Sequence, residues 1–231
     1  MNAAQLINQT SGDVEYYTPA FIIEAARAVL GGRIELDPAS CDFANQTVQA
    51  GRIFTDPGMV QIGELTSWVK LKNGDKELTE VKLPLMEAKP GGAFAEEWAA
   101  ETAWMNHPFG QPEFQCVANC QKKGCQKRGW HLAGYRHGNG DWIDRMVNAV
   151  RANQIGSALC ITFAATSETW FGPLLNNAQC YLRPRTNYIG RDGKPVPGVT
   201  KGSVVTLLGG SRASLLSFMD HFHDKFGTVK I

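Results

Sequence analysis

The order of helix-like and strand-like segments predicts an α/β fold of three layers, a mixed sheet between helices. Three observations carry this expectation. Helical stretches with one apolar face alternate with short strand-like runs along the chain. The run 157–163 is almost wholly apolar, as a strand covered on both faces must be. The C-terminal third holds two strand-like segments, 178–183 and 203–208, joined by a turn-rich stretch, so the sheet should end in an antiparallel hairpin. With 231 residues, the chain is read as one domain, 1–231, carrying insertions at 59–95 and 111–140.

Composition is that of ordinary globular material, 43% hydrophobic and 19% charged. No run approaches the ~18 apolar residues of a membrane span. The start, 1–13, lacks a basic stretch followed by an apolar one, so no secretory signal is expected. The formal net charge of +1 leaves any polyanion contact to local patches. Six cysteines are present, three of them clustered at 116, 120 and 125. Without an export signal, a cluster of thiols points to metal rather than disulfides.

Taken in order, Thr18 is a helix N-cap and Pro19 the first helical residue. Ile22, Ala25, Ala26 and Val29 then fall on one apolar face, and Gly31 and Gly32 end the helix. The segment 33–40 reads as a short strand ending in Asp37-Pro38-Ala39-Ser40. An acid at the carboxyl end of a strand suits the hydroxyls or amino group of a nucleoside-like ligand, although Asp-Pro also ends plain turns. Residues 68–78 predict a hairpin with Asn73-Gly74 at its turn, and 81–85 a further strand. This first insertion is either a two-stranded target-reading element or a surface hairpin.

In the second insertion, Cys116, Cys120, Cys125 and His131 lie within one polar segment. Three thiols and an imidazole are the donor set of a tetrahedral metal site such as Zn²⁺, with His137 as an alternative fourth ligand; free surface thiols are the plain alternative. Lys122, Lys123, Lys127, Arg128 and Arg136 surround the cluster, a patch that suits DNA phosphates or a merely solvated loop. Residues 141–150 return to helix on Ile143, Met146, Val147 and Val150. After strand 157–163, Thr166 or Ser167 caps a helix through Phe171, with Thr166 and Trp170 as either pocket or packing residues. The stretch 187–195 is a turn, and the tail carries a last helix with Leu216 and Met219.

The stretch 104–110 concentrates the chemistry: an apolar lead-in, then Asn106-His107-Pro108-Phe109. Its resemblance to the catalytic loop of amino-methyltransferases implies an exocyclic amine on a base as target, a poor nucleophile because its lone pair is delocalised into the ring. Two acceptors, the Asn106 amide oxygen and the His107 carbonyl, can take its two N–H bonds and localise that pair. The Phe109 ring can stack on a base flipped out of the duplex. A strand end followed by a Pro turn and a core Phe is the plain alternative.

This motif is similar to the Asn-Pro-Pro-Tyr/Phe loop of amino-methyltransferases, with His107 in place of the first Pro. Together with Tyr17-Thr18-Pro19 opening a helix, Asp37-Pro38-Ala39-Ser40 ending a strand, Asn45, and Asp56-Pro57-Gly58, it resembles the phage-type, Dam-like DNA N6-adenine methyltransferases from about residue 15 to about 209. The resemblance implies a Rossmann-like methyltransferase fold and S-adenosylmethionine as methyl donor. It implies cofactor contacts at Tyr17, Thr18, Pro19, Asp37, Pro38, Ala39, Asn45 and Asp56, and catalysis at Asn106, His107, Pro108 and Phe109. It also implies DNA as partner and a cytoplasmic location, that of a bacterial host if the gene is phage-borne. The Gly-x-Gly turn common in methyltransferases is absent after Asp37, so the cofactor loop must differ in shape. Cytosine N4 is the close rival target, since the same loop serves either amine. Cytosine C5 chemistry is disfavoured because no Pro-Cys nucleophile is present. A different class is an inactive, zinc-containing DNA-binding module on the same fold.

Overall fold

The computed structural model describes residues 16–70, 78–197 and 199–231. The first helix, α1 (Ala20–Val29), buries Ile22, Ile23, Ala25, Ala26 and Val29, the predicted face. Its start differs from expectation. Pro19 is the N-cap residue, with ψ at 145°, and gives the helix no side-chain cap. Thr18 therefore sits one position too early to cap, and its hydroxyl is buried without a partner. Gly31 and Gly32, at φ of +78° and +93°, turn the chain out of the helix.

Among the described residues, ten strands form two sheets. The larger is built from β1 (Leu36–Asp37), β2 (Arg52–Ile53), β5 (Ala100–Met105), β7 (Ile155–Phe163), β8 (Ala178–Leu182), β9 (Ser203–Gly209) and β10 (Gly227–Lys230). Their spatial order is β10-β8-β9-β7-β5-β1-β2. Strands β2, β1, β5 and β7 run parallel, and β9 lies antiparallel between β7 and β8. The sheet is thus mixed, and the predicted antiparallel end is present. The first strand is only two residues long, because Pro38 has no N–H to continue a ladder. The edge strand β10 was not foreseen.

Alternate residues of each central strand enter opposite cores. Trp104, Leu159, Ile161, Phe163, Val205 and Leu207 pack with α1 and with α5 (Arg212–Phe222). Ala103, Met105, Ala158, Cys160, Val204 and Leu208 pack with α4 (Asn139–Arg151) and the 3-10 helix Thr169–Leu174. That double burial explains the unbroken apolar run of β7. The last helix turns Phe218 and Phe222 into the core, whereas Leu216 is exposed. The short helix before Phe171 takes no cap from Thr166 or Ser167, since it begins only at Thr169 and its N-cap position is Glu168.

The smaller sheet joins both insertions. Strands β3 (Met59–Lys70) and β4 (Leu78–Ala88) form one long antiparallel ribbon, from Met59 opposite Ala88 to Lys70 opposite Leu78. Residues 81–85 are its returning arm, not a third strand, and the Asn73-Gly74 turn lies outside the described residues. Strand β6 (His131–Leu132), from the second insertion, pairs parallel with Leu85 and Met86. Ser67 Oγ donates to the Cys120 carbonyl at 2.7 Å. Two segments separated in sequence by β5 thus fold as one unit beside the main sheet. Among the described residues, no helix is long and apolar enough to cross a membrane.

Candidate functional site

Strand order reverses at β1, with β2 on one side and β5 on the other. The crevice outside the carboxyl ends of strands at such a switch point is where open α/β sheets bind ligands. Asp37 ends β1 and Asn106 follows β5. The strands are parallel, with Leu36 opposite Ala103, so both residues open on the same edge. Asp37 is buried, and that burial pushes its carboxyl up to about 7 against the pull of the Ala39 amide at 3.1 Å and of the Ser40 side chain. Pro38 is buried and Ala39 half-buried beside it.

The segment before α1 is laid against this edge. Tyr17 exchanges two 2.8 Å backbone bonds with Ile189. Its ring lies 4.9 Å from that of Phe43, and its hydroxyl accepts from Cys41 Sγ at 3.7 Å. Tyr17 thereby brings the segment before α1 against the chain that follows Asp37. The Thr18 hydroxyl is buried with no partner among the described residues, and the buried Ser40 hydroxyl lies by the Asp37 carboxyl. These two hydroxyls, and an acid with no cation beside it among the described residues, form a donor and acceptor set that fits a ligand carrying hydroxyl and amino groups.

Two expected cofactor residues are occupied otherwise. Asn45 lies in α2 (Asp42–Val48), where its Oδ1 accepts from the Ala50 amide at 2.7 Å and its Nδ2 donates back to the Ala50 carbonyl. It closes the turn that leaves α2. Asp56 stands exposed beyond the end of β2, on the same edge, and its Oδ1 accepts from Gly58 N at 2.7 Å.

In the loop after β5, the Asn106 Nδ2 donates to the Tyr16 carbonyl at 2.8 Å. That bond fixes which way the amide points, and its oxygen accepts nothing among the described residues. His107 is buried, with Nε2 at 3.2 Å from Asn139 Oδ1, which also accepts from Gly110 N at 3.0 Å. The shared acceptor requires the proton on Nε2, leaving Nδ1 bare and unpartnered. Burial pushes the imidazole down to about 4, so it is neutral near pH 7. Pro108 is exposed.

The Phe109 ring requires a correction. It is buried and packs 4.4 Å from Phe163 and edge-on to Tyr188 at 6.0 Å. In this arrangement the ring anchors the loop to the core and offers no open stacking face.

The insertion that follows is closed at its neck. Asn139 N donates to the Gly110 carbonyl at 2.8 Å. A Cβ on Gly138 would meet Pro112 N at 2.2 Å, so only glycine lets the two limbs cross. Within it, one ligand atom each from Cys116, Cys120, Cys125 and His131 lies within 4.8 Å of the others. The Sγ atoms of Cys116 and Cys120 stand 3.4 and 3.9 Å from that of Cys125. Tetrahedral thiolates at about 2.3 Å from a metal are about 3.8 Å apart. Both ring nitrogens of His131 are buried without partners. The four could hold a metal ion. Cys125 lies in a short helix, α3 (Lys123–Arg128), where a loop was expected. His137 is not the fourth ligand: its ring stacks on Phe94 at 3.4 Å, and Nδ1 faces Asp141 at 3.7 Å.

Two members of the basic patch expected around the cluster, Lys122 and Arg128, are committed to their own loop. Arg128 binds both carboxylate oxygens of Glu113, at 2.6 and 2.7 Å, and lies 3.9 Å over the Trp130 ring. Lys122 donates to the carbonyls of Phe114 and Gln115. Trp170 packs edge-on to Phe171 and borders Gly140 at the start of α4.

Two site residues escaped the sequence reading. Tyr16 acts through its carbonyl, which leaves no trace in side-chain chemistry. Asn139 stands at the start of a helix, where an Asn is ordinarily read as a cap; its side chain instead binds across 29 and 32 residues. No family model matches the chain, nor does any curated protein or solved structure.

Proposed function

We propose that the protein transfers a methyl group from S-adenosylmethionine to the exocyclic N6 of adenine in DNA, on a Rossmann-like sheet. The observation that carries this reading is the Asn106 amide. Its nitrogen is held by the Tyr16 carbonyl and its oxygen is left open, at the same sheet edge as the buried Asp37. When bound, S-adenosylmethionine supplies an electrophilic methyl group on a sulfonium.

Asp37, with the hydroxyls of Thr18 and Ser40, would hold its amino and hydroxyl groups. Asn106 Oδ1 and the His107 carbonyl accept the two N–H bonds of the target amine and localise its lone pair. The neutral imidazole of His107 is too deeply buried, and too firmly tied to Asn139, to serve as a base. The inward His107 side chain leaves its carbonyl as the group presented, the role that a Pro at this position would also fill. In the Cys₃His group, the soft donor set and tetrahedral spacing favour zinc, in a structural role that binds the β3–β4 ribbon to the neck of the catalytic loop.

Incubating mixed-sequence DNA with labelled cofactor and analysing the nucleosides tests this reading. Label in N6-methyl-2′-deoxyadenosine is the expected result. Label in N4-methylcytosine would transfer the same chemistry to the rival amine. No transfer, with zinc and DNA both bound, would establish the inactive module instead.

A further inference from the structure

Two segments of this chain are strongly basic, the Cys₃His insertion with Lys122, Lys123, Lys127, Arg128 and Arg136, and the loop between β8 and β9. Residues 183–202 hold Arg183, Arg185, Arg191, Lys194 and Lys201 against the single acid Asp192, in a chain whose net charge is only +1. Arg183, Arg185, Arg191 and Lys194 are exposed and Lys201 half-buried. The topology puts this loop at the candidate site. Strand β8 is antiparallel to β9, and β9 to β7, so β8 runs with β1 and β5. The loop that leaves β8 therefore stands at the sheet edge of Asp37 and Asn106.

Side chains and backbone tie it there. Tyr188 lies edge-on to Phe109 of the catalytic loop. Ile189 pairs with Tyr17, and a Cβ on Gly193 would sit 3.8 Å from the Phe43 ring. The turn itself is held open to solvent by Asp192, whose Oδ1 accepts from Lys194 N at 3.1 Å. In the rival patch around the Cys₃His group, Arg128 is paired with Glu113 and Lys122 is bonded to carbonyls of its own loop; in the β8–β9 loop, Arg185 Nη1 donates to the Val199 carbonyl at 3.4 Å.

We propose that this β8–β9 loop is the surface on which the phosphate backbone of duplex DNA rests, with Arg183, Arg185 and Lys194 as direct phosphate contacts. The assignment rests on the methyltransferase reading for its choice of DNA. It places the phosphates beside Asn106, where a base leaving the stack would have to arrive.

The test uses the full chain with its metal. Binding of a labelled duplex and of heparin is measured from 50 to 300 mM salt for wild type, R183Q/R185Q/K194Q, the charge-keeping R183K/R185K, and K123Q on the Cys₃His loop. Calorimetry with S-adenosylmethionine runs in parallel. The triple variant should bind the duplex at least tenfold more weakly at low salt, with the salt slope reduced by roughly 2 to 3, about one per lost phosphate contact. The Lys replacements and K123Q should stay close to wild type, and cofactor affinity should be unchanged. An unaltered slope in the triple variant overturns the proposal while leaving methyl transfer by wild type standing. A matched loss of cofactor affinity overturns it too, because the loop would then clasp the cofactor. Heparin binding through the loop, by a wild type that neither binds nor methylates the duplex, would overturn both the contact and the reading it rests on.

Discussion

The Asn106 amide nitrogen donates to the carbonyl of Tyr16, ninety positions earlier, at 2.8 Å. An amide held by one end has a defined other end, so the Asn106 oxygen is directed before any substrate arrives. Preorganised acceptors of this kind act without reorganisation at the moment of reaction. Asn106→Ala should lower methyl transfer by on the order of 100-fold or more, with cofactor affinity and melting temperature little changed. Asn106→Asp keeps acceptor oxygens but sets a carboxylate against the Tyr16 carbonyl. It should retain part of the rate and lose stability. An Ala variant with wild-type turnover would remove Asn106 from the chemistry.

Asp37 makes a prediction about pH. Its carboxyl is raised by burial to about 7. A group whose folded pKa lies above its unfolded value stabilises the fold below the unfolded value, and that contribution is lost as pH rises through the folded one. Stability of the free protein should therefore fall between about pH 4 and 7 by an amount that Asp37→Asn removes. Cofactor affinity should move the opposite way. A ligand offering N–H and O–H donors prefers the ionised acid, so affinity should rise about tenfold per pH unit up to about 7. Calorimetry at pH 5.5, 6.5 and 7.5 checks this, and a flat profile would mean that the acid does not contact the ligand.

The metal prediction is stoichiometric. One Zn²⁺ per chain is expected from elemental analysis of protein purified without chelator. Removing it leaves His131 buried with two unpartnered nitrogens and three thiols crowded together. The ribbon contact through Ser67 and Cys120 should then loosen. Cys120→Ala should lower metal content and DNA affinity while sparing cofactor binding, which is proposed for the Asp37 edge and uses no residue of the Cys₃His group. Metal-free protein whose thiols titrate freely, with an unchanged melting temperature, would refute a structural ion.

Much of this site was legible because local chemistry was strong. The helix at 20–29, the buried strand 157–163 and the Cys₃His set follow from periodicity and donor type alone. What escaped was non-local. No sequence rule reports that His131 pairs with Leu85, or that His107 turns inward onto a helix start 32 residues away. Phe109 shows the reverse limit. A motif supplies a residue type, whereas packing against Phe163 decides which face of it remains. Asn45 likewise had the expected position but was taken by its own turn.

His107 and Asn139 give the last prediction. Asn139 Oδ1 holds both the His107 ring and the Gly110 amide, and so fixes the two ends of the loop after β5 from one atom. Asn139→Ala strands two buried donors, at a cost on the order of 2–4 kcal/mol, and should reduce turnover through a loosened loop. His107→Pro keeps the carbonyl that accepts from the target amine and leaves the Gly110 bond in place. It should therefore retain substantial activity while losing stability through the emptied ring site, by on the order of 2 kcal/mol. The two variants separate positioning from proton transfer. If His107 were a general base, every replacement would be inactive, Pro included, and the wild-type rate would fall as pH dropped through its titration near 4. If the carbonyl is what matters, His107→Pro melts earlier but turns over, and its rate profile above pH 5 overlays that of the wild type. Turnover and melting temperature measured together decide it. An inactive His107→Pro enzyme that binds cofactor and DNA normally would sink the backbone-acceptor role assigned to this residue.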